Sequence, residues 1–239
     1  MPRNNYFQFK QFRIVQERSA MKVGMDGVLL GAWADISGAK RILDIGTGTG
    51  LIALMMAQRN SEAIIDAVEI EPKAFHEALF NVKQSPWNDR ISVECCSFQE
   101  LAEKAGRKYD LIVSNPPFFD NGIKAPVESR AQARHSDLLP LDVLILGATV
   151  LLRENGRIAL VLPSECNLEL MQLASLNDLF VSRLCWLKPN PLKPVFRILV
   201  ELTNTECEVQ EENLMIEFEK HFDYTPEYRE LTKYFYLKF

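Results

Sequence analysis

The stretch that decides the fold is Arg41-Ile42-Leu43-Asp44-Ile45-Gly46-Thr47-Gly48-Thr49-Gly50-Leu51. Its apolar start predicts a buried strand, its glycines predict a tight turn, and the residues after them predict a helix from Thr49 to Arg59. Such a turn lets the backbone approach a ligand closely, and the helix presents free N–H groups and its positive dipole end. The stretch therefore predicts a ligand site at the end of a strand.

The spacing of these glycines indicates the kind of ligand. A dinucleotide site has the pattern G-x-G-x-x-G, whereas this chain has G-x-G-x-G with Asp44 two residues before the first glycine. An acid at that place suits a cationic or amine-bearing ligand better than a phosphate, and S-adenosylmethionine carries both a sulfonium and an ammonium. The second predicted strand ends at Glu69, about 20 residues beyond the loop, where such folds place an acid on ribose hydroxyls. Glu71 fits the N-terminus of the next helix instead.

A second loop, Asn115-Pro116-Pro117-Phe118, follows an apolar run over 109–114 that predicts another buried strand. Two prolines fix φ twice and remove two N–H groups, and Asn115 is biased to an extended conformation because it precedes a proline. The stiff loop presents an amide, carbonyls without neighbouring donors, and an aromatic face. Carbonyl oxygens accept the hydrogens of a planar NH2 group, and a ring stacks on its face. By itself, a bare Asn-Pro-Pro favours a strand followed by a plain proline turn, so the rest of the chain decides between the two readings.

Between residues 40 and 204, short apolar runs alternate with longer amphipathic stretches, which indicates βαβ units and a parallel sheet. The predicted strands are Arg41–Ile45, Ile64–Glu69, Ile91–Cys95, Asp110–Ser114, Arg157–Leu162, Val181–Leu187 and Phe196–Thr203. The predicted helices are Thr49–Arg59, Pro72–Gln84, Leu141–Leu152 and Ser164–Asn177, with Ser164 as an N-cap and Gly156 in a turn. Residues 6–35 predict a β-rich arm followed by a helix starting near Asp26. The tail after residue 206 predicts an added hairpin or helix over the sheet.

Composition limits the function classes. The chain has 239 residues, a net charge of −5, five cysteines without C-x-x-C spacing, and three histidines far apart in sequence. No stretch approaches the roughly 20 apolar residues of a membrane span, and the start lacks the apolar segment of a signal peptide. We therefore expect a cytoplasmic protein with reduced thiols, no metal site and no membrane, and we favour a monomer.

The two loops together resemble those of class I S-adenosylmethionine-dependent methyltransferases that act on amino groups. The resemblance covers residues 40–204. It implies an α/β, Rossmann-like fold: a mostly parallel central sheet with helices on both faces, plus the N-terminal arm and the C-terminal extension, in a single domain over 1–239. It implies S-adenosylmethionine as cofactor, bound by Asp44, Gly46, Thr47, Gly48, Gly50, Glu69, Ser97, Phe98 and Asn115, with Asn115, Pro116 and Phe118 as catalytic residues. Many of these enzymes have an acid where this chain has Ser97, so either the Ser97 hydroxyl or the Phe98 backbone would contact the cofactor adenine.

The whole chain also resembles the bacterial valine-tRNA adenine-N6 methyltransferases, which modify the adenine next to the anticodon. This narrower resemblance rests on residues 20–33, 115–119, 133–135 and 193–197. It implies tRNA as the partner, with positive side chains near the pocket. The candidate RNA contacts are Phe119, Lys124, Arg130, Arg134, His135, Lys188, Lys193 and Arg197.

Two other readings remain open from sequence. Protein glutamine methyltransferases share the second loop but usually have Tyr in place of Phe118, and ribosomal RNA guanine-N2 methyltransferases can carry the same four residues. A methyltransferase fold retained only for binding would be expected to lose glycines of the first loop or Asn115, and this chain keeps them.

Overall fold

The structure is a computed structural model that describes residues 5–19, 21–104, 106–117 and 139–239. Within these residues a central sheet of eight strands has the order β10-β8-β9-β7-β6-β3-β4-β5. Its strands are β3 (Arg41–Ile45), β4 (Ile64–Glu69), β5 (Ile91–Cys95), β6 (Tyr109–Ser114), β7 (Leu152–Pro163), β8 (Phe180–Lys188), β9 (Arg197–Thr203) and β10 (Gln210–Met215). β9 runs antiparallel to both β7 and β8, and the remaining pairs are parallel. The predicted mostly parallel sheet is confirmed.

Helices cover both faces of this sheet because each helix buries one apolar face against it. They are α1 (Met25–Trp33), α2 (Leu51–Arg59), α3 (Pro72–Lys83), α4 (Phe98–Glu103), α5 (Leu141–Leu151), α6 (Asn167–Leu176) and α7 (Pro226–Thr232). One buried cluster joins the sheet to α1, α2 and α7, and the other joins it to α4, α5 and α6. Pro72 occupies the first turn of α3 and Glu71 caps it, as predicted.

The N-terminal arm forms the predicted β-structure, a two-stranded antiparallel pair of β1 (Tyr6–Gln8) and β2 (Arg13–Val15). The C-terminal tail forms both a strand and a helix, which its weak sequence pattern did not distinguish. β10 adds a parallel strand beside β8 at the edge of the sheet, and α7 then packs against α1.

Two local predictions were wrong. Ser164 does not cap a long helix, since a short 3₁₀ turn, Ser164–Cys166, precedes α6 and the Ser164 hydroxyl is directed to the Val195 carbonyl. Gly156 does not lie in a turn between helix and strand, because β7 begins at Leu152 and passes through it. The residue with positive φ there is Asn155, at 59°.

Candidate active site

A cavity of about 510 Å³ opens at the carboxyl ends of β3, β4 and β6. This is the edge at which open α/β sheets bind ligands. The glycine loop, the end of β4 and the start of the second loop all line it, so the structure brings the two predicted motifs to one place. The described lining residues that were predicted from sequence are Gly46, Thr47, Gly48, Glu69, Phe98, Asn115 and Pro116.

The N–H groups of the glycine loop are largely occupied within the protein. Those of Gly46 and Thr47 both donate to the Val68 carbonyl, at 2.9 and 3.0 Å, and that of Gly50 donates to Thr47. The Gly48 N–H donates to Glu69 Oε2 at 2.8 Å. These four N–H groups are therefore already paired and are not free to bind a phosphate.

Gly46 and Gly48 have φ of 67° and 57°, and a Cβ at either position would have no atom within 4 Å. The backbone conformation therefore requires glycine, because residues with a side chain rarely adopt a positive φ. Both residues line the cavity, and the open space beside them leaves room for a ligand to approach the backbone.

Glu69 lies at the end of β4, is buried, and lines the cavity. Each carboxylate oxygen accepts one backbone N–H, Oε2 from Gly48 and Oε1 from Glu71 at 2.9 Å. These bonds fix the carboxylate while leaving acceptor capacity on both oxygens. The residue is therefore suited to a pair of hydroxyl donors such as those of a ribose.

Asp44 lies beneath the glycine loop and is fully buried. Its Oδ2 accepts from the Thr47 hydroxyl at 2.6 Å and from the Ala53 N–H at 3.0 Å, which joins the loop to α2. Its Oδ1 has no hydrogen-bond partner within the described part of the chain. Burial, with a smaller contribution from the charge of Glu69, raises the pKa of Asp44 to about 7 even though these two hydrogen bonds lower it. Asp44 is not among the described lining residues, so it would favour a cationic ligand in the cavity through its charge and not by direct contact.

Asn115 and Pro116 follow β6 directly and line the cavity. The preceding Ser114 donates its hydroxyl to the Ile45 carbonyl at 2.9 Å, which ties the end of β6 to the end of β3. On the other side, a Cβ added to Gly27 of α1 would lie 3.9 Å from Asn115 Nδ2. The amide is thus placed between the glycine-loop strand and the amino end of α1.

The structure separates the two candidates for the adenine contact. The Ser97 hydroxyl accepts from the Glu100 N–H, and the Glu100 carboxylate accepts from the Ser97 N–H, so Ser97 caps α4. Among the described lining residues are Cys96, Phe98 and Gln99 but not Ser97. The position after Ser97 is therefore the one that reaches the cavity.

The predicted RNA contacts divide into two groups. Phe119, Lys124, Arg130, Arg134 and His135 lie outside the described residues, as does Phe118, which was predicted as a catalytic residue. Of the rest, Lys193 is exposed in the loop between β8 and β9, and Lys188 is half-buried at the end of β8. Arg197 is paired, since its Nε donates to Asp26 Oδ2 at 2.9 Å.

One wall of the cavity was not predicted from sequence. It comes from the segment between β2 and α1, which contributes Ser19, Met21, Lys22, Val23 and Gly24, and from the first turn of α1. This segment lacks hydrophobic periodicity, so propensity arguments do not place it. The signal that could have found it was its part in the narrower resemblance.

Two features are absent from the described part of the chain. No group of three or more His, Cys, Asp or Glu side chains there could hold a metal ion. None of the helices described is long and apolar enough to cross a bilayer.

The fold and the site together define a methyltransferase. The methyltransferase small domain family matches residues 28–183. A predicted O-methyltransferase from Agrobacterium tumefaciens has the same fold, with a TM-score of 0.67 at 19% identity, covering 87% of this chain and 96% of that one. A putative RNA methyltransferase from Pyrococcus horikoshii has a TM-score of 0.53 at 16% identity, covering 74% and 82%.

Curated relatives narrow the class. A tRNA1(Val) (adenine(37)-N6)-methyltransferase from Trichodesmium erythraeum is 48% identical over 237 residues, covering 98% of this chain and 99% of that protein. A protein of the same name from Parabacteroides distasonis is 46% identical over 236 residues, with the same coverage of both chains. The chain belongs to the tRNA1(Val) (adenine(37)-N6)-methyltransferase family.

Proposed function

We propose that this protein transfers a methyl group from S-adenosylmethionine to N6 of adenine 37, next to the anticodon of a valine tRNA. The observation that carries the proposal is that Asn115, at the end of β6, shares one cavity with Glu69 and the glycine loop. The names of the full-length relatives support the substrate. We also propose that the protein acts as a monomer and that it acts in the cytoplasm, where its tRNA is found.

The residues that line the cavity, and Asp44 beneath its glycine loop, fit the cofactor. Glu69 offers acceptors for ribose hydroxyls, the glycine loop leaves open space, and the unpaired oxygen of Asp44 favours a nearby positive charge. Phe98 adds an apolar surface on which the adenine would lie. When bound, S-adenosylmethionine would supply an electrophilic methyl group on a positively charged sulfur.

The second loop would activate the acceptor. The N6 lone pair of adenine is delocalised into the ring, so the amine is a poor nucleophile. The Asn115 side-chain oxygen and the Pro116 carbonyl would accept its two hydrogens, favour a tetrahedral nitrogen, and direct the lone pair at the methyl group. Positive charge grows on that nitrogen during transfer, so fixed acceptors stabilise the transition state more than the ground state. The proton would then leave to water.

The target base would be extruded from its stack to reach this loop, and Phe118 would stack on it. Phe119, Lys124, Arg130, Arg134 and His135 remain proposed contacts of the RNA, together with Lys188 and Lys193. Arg197 would act from its ion pair with Asp26, which holds the guanidinium at the cavity rim.

A transfer assay with labelled methyl groups tests this function. The protein is incubated with unmodified valine tRNA, the same tRNA with guanosine at position 37, ribosomal RNA and a release-factor protein. We expect label only in the first RNA, located at position 37 as N6-methyladenosine. Label in the guanosine variant, the ribosomal RNA or the protein would replace the proposed substrate with one of the other amines.

A further inference from the structure

The unpredicted wall of the cavity is a segment that we call the strap, residues 16–19 and 21–24. It lies between β2 and α1 and has no regular secondary structure. A segment of this kind holds its shape only if other elements satisfy its backbone groups. Those elements are found on α3.

Glu77 of α3 binds the strap through its carboxylate. Oε1 accepts the N–H groups of Glu17 at 2.6 Å and Arg18 at 2.9 Å, and Oε2 accepts that of Ser19 at 2.9 Å and also the Ser19 hydroxyl. Burial alone would raise the pKa of Glu77, but these hydrogen bonds outweigh it and hold the pKa below its ordinary value. A charged acceptor shared by successive N–H groups is a strong anchor.

Asn81, one turn further along α3, completes the attachment. Its side chain exchanges hydrogen bonds with the N–H and carbonyl of Val15, both at 2.9 Å, and also donates to the carbonyl of Thr49 in the glycine loop at 2.9 Å. Within the strap, the Gln16 side chain accepts from the Val23 N–H at 2.8 Å. The strap and the glycine loop are therefore fixed by one face of one helix.

The strap brings a particular charge to the cavity. Lys22 is the one lysine or arginine among the lining residues that the structure describes, while Asp26, Glu69 and Glu71 are all acidic. S-adenosylmethionine carries a single anionic group, its carboxylate. That carboxylate needs a cation, and Lys22 offers one where the other charged groups would repel it.

We infer that Glu77 is a positioning residue for methyl transfer, which anchors the strap so that Lys22 meets the carboxylate of S-adenosylmethionine. The inference rests on the proposed function. It assigns no chemical step to either residue, since Glu77 acts through the strap and Lys22 binds only the non-reacting end of the cofactor.

The test compares the dissociation constants of two probes, S-adenosylmethionine and decarboxylated S-adenosylmethionine, measured by calorimetry with and without competition. We expect the wild-type protein to prefer the carboxylate-bearing probe by about tenfold or more, as for one hydrogen bond between charged groups. Lys22→Met should bring this preference close to one. Glu77→Gln should reduce it similarly, because the strap then no longer holds Lys22 in place.

The preference is a ratio for the same folded protein, so general loss of stability does not change it. The matched control is Asp66→Asn, the same kind of change in another buried acid. Asp66 accepts from Ser92 and Tyr109 and is not among the described lining residues. We expect Asp66→Asn to keep the wild-type preference. Trypsin cleavage after Arg18 should also be faster in Glu77→Gln than in the control, because Glu77 holds the Arg18 and Ser19 N–H groups.

The outcomes are distinct. An unchanged preference in Glu77→Gln overturns the positioning role, and an unchanged preference in Lys22→Met overturns the contact with the carboxylate. In either case the wild-type protein would still methylate tRNA, so the proposed function would stand. A wild-type protein that binds neither probe would overturn both.

Discussion

Asn115 combines the strongest sequence motif with a defined position in the cavity. Its amide lies after β6 and beside Gly27, while the groups proposed for the cofactor are the glycine loop, Glu69, Phe98 and Lys22. Asn115→Ala should therefore remove an acceptor for the target amine and leave the cofactor contacts in place. We expect kcat to fall about 10²–10³-fold, as when one oriented hydrogen-bonding group at a transition state is lost, with the dissociation constant of S-adenosylmethionine changed little. Single-turnover kinetics and calorimetry measure the two quantities, and normal turnover would contradict the assignment.

Asp44 should show a conflict between stability and ligand binding. Its pKa is about 7 in the folded protein against an ordinary value of 3.8. The unfolded chain therefore ionises first as pH rises, and Asp44 costs stability progressively from about pH 4 to about pH 7, after which the cost is constant. Asp44→Asn removes this ionisation, so the variant should gain stability relative to wild type as pH rises through that window.

Urea unfolding at about pH 5 and about pH 8 measures this difference. The same substitution removes the negative charge that favours a cation in the cavity, so we expect weaker binding of S-adenosylmethionine at the higher pH. A variant that loses equal stability at both pH values and binds the cofactor normally would contradict this account of Asp44.

At single positions, the sequence placed residues in the cavity where the end of a strand fixes them. Gly46, Gly48, Glu69 and Asn115 were predicted at this edge and line the cavity, because each lies at or just after the end of a strand that the apolar pattern determines. Ser97 does not line the described cavity, and the reason lies in the local sequence. A Ser followed three residues later by Glu is a capping box, and here Ser97 and Glu100 form one. Asp44 could not be placed beneath the loop from sequence, because burial of a strand residue depends on which helices cover the sheet.

Among the elements, α5 and α4 meet at a glycine. A Cβ at Gly147 of α5 would lie 2.5 Å from Cε1 and 2.9 Å from Cζ of Phe98, which lines the cavity. Gly147→Ala should push the ring aside, because both atoms are closer than van der Waals contact permits. We expect a net loss of about 1–3 kcal/mol of stability from overpacking and weaker cofactor binding.

Thermal unfolding and calorimetry measure the two effects, and Val150→Ala provides the control on the exposed side of the same helix. A Gly147→Ala protein that is more stable and binds the cofactor equally would mean that the helix-propensity gain of alanine exceeds the cost of moving Phe98.

The boundaries of elements were predictable where tertiary contacts agree with local signals. Pro72 and Glu71 begin α3 as their side chains favour. The predicted turn at Gly156 between α5 and β7 was wrong because β7 already pairs with β6 at Leu152. The strand therefore begins earlier than predicted and includes Gly156. The Leu152 side chain lies against that glycine, where a Cβ would be 2.8 Å away. Close packing, which sequence pattern does not report, explains the glycine.

In the whole molecule, hydrogen bonds and aromatic contacts join the N-terminal arm to the C-terminal tail. The Lys10 N–H donates to the Phe235 carbonyl at 2.9 Å, and the Lys10 ammonium donates to the carbonyls of Lys233 and Phe239. Tyr236 adds ring contacts with Phe7 and Phe9 at 6.1 and 6.0 Å. Because contacts of this range join residues more than 200 positions apart, neither end could be placed from its own sequence.

Substitution of Phe235 tests whether the contacts between the C-terminal tail and the N-terminal arm stabilise the arm. Its ring is almost fully buried in the cluster that also contains Phe9, Ile14 and the inner face of α2. Phe235→Ala should cost about 3–5 kcal/mol by leaving a cavity. The neighbouring Tyr234→Ala should cost within about 0.5 kcal/mol, since Tyr234 is largely exposed.

Deuterium exchange locates the effect of Phe235→Ala within the molecule. The arm leads directly into the strap, so loss of Phe235 should speed exchange first in β1, β2 and the strap amides held by Glu77. The side chains of α5 pack in the opposite cluster. The backbone amides of α5 should therefore exchange as in wild type under conditions where the variant remains folded. Uniformly faster exchange would show that the tail stabilises the whole chain equally. Unchanged exchange in the arm would show that Glu77 and Asn81 hold the strap without help from the C-terminus.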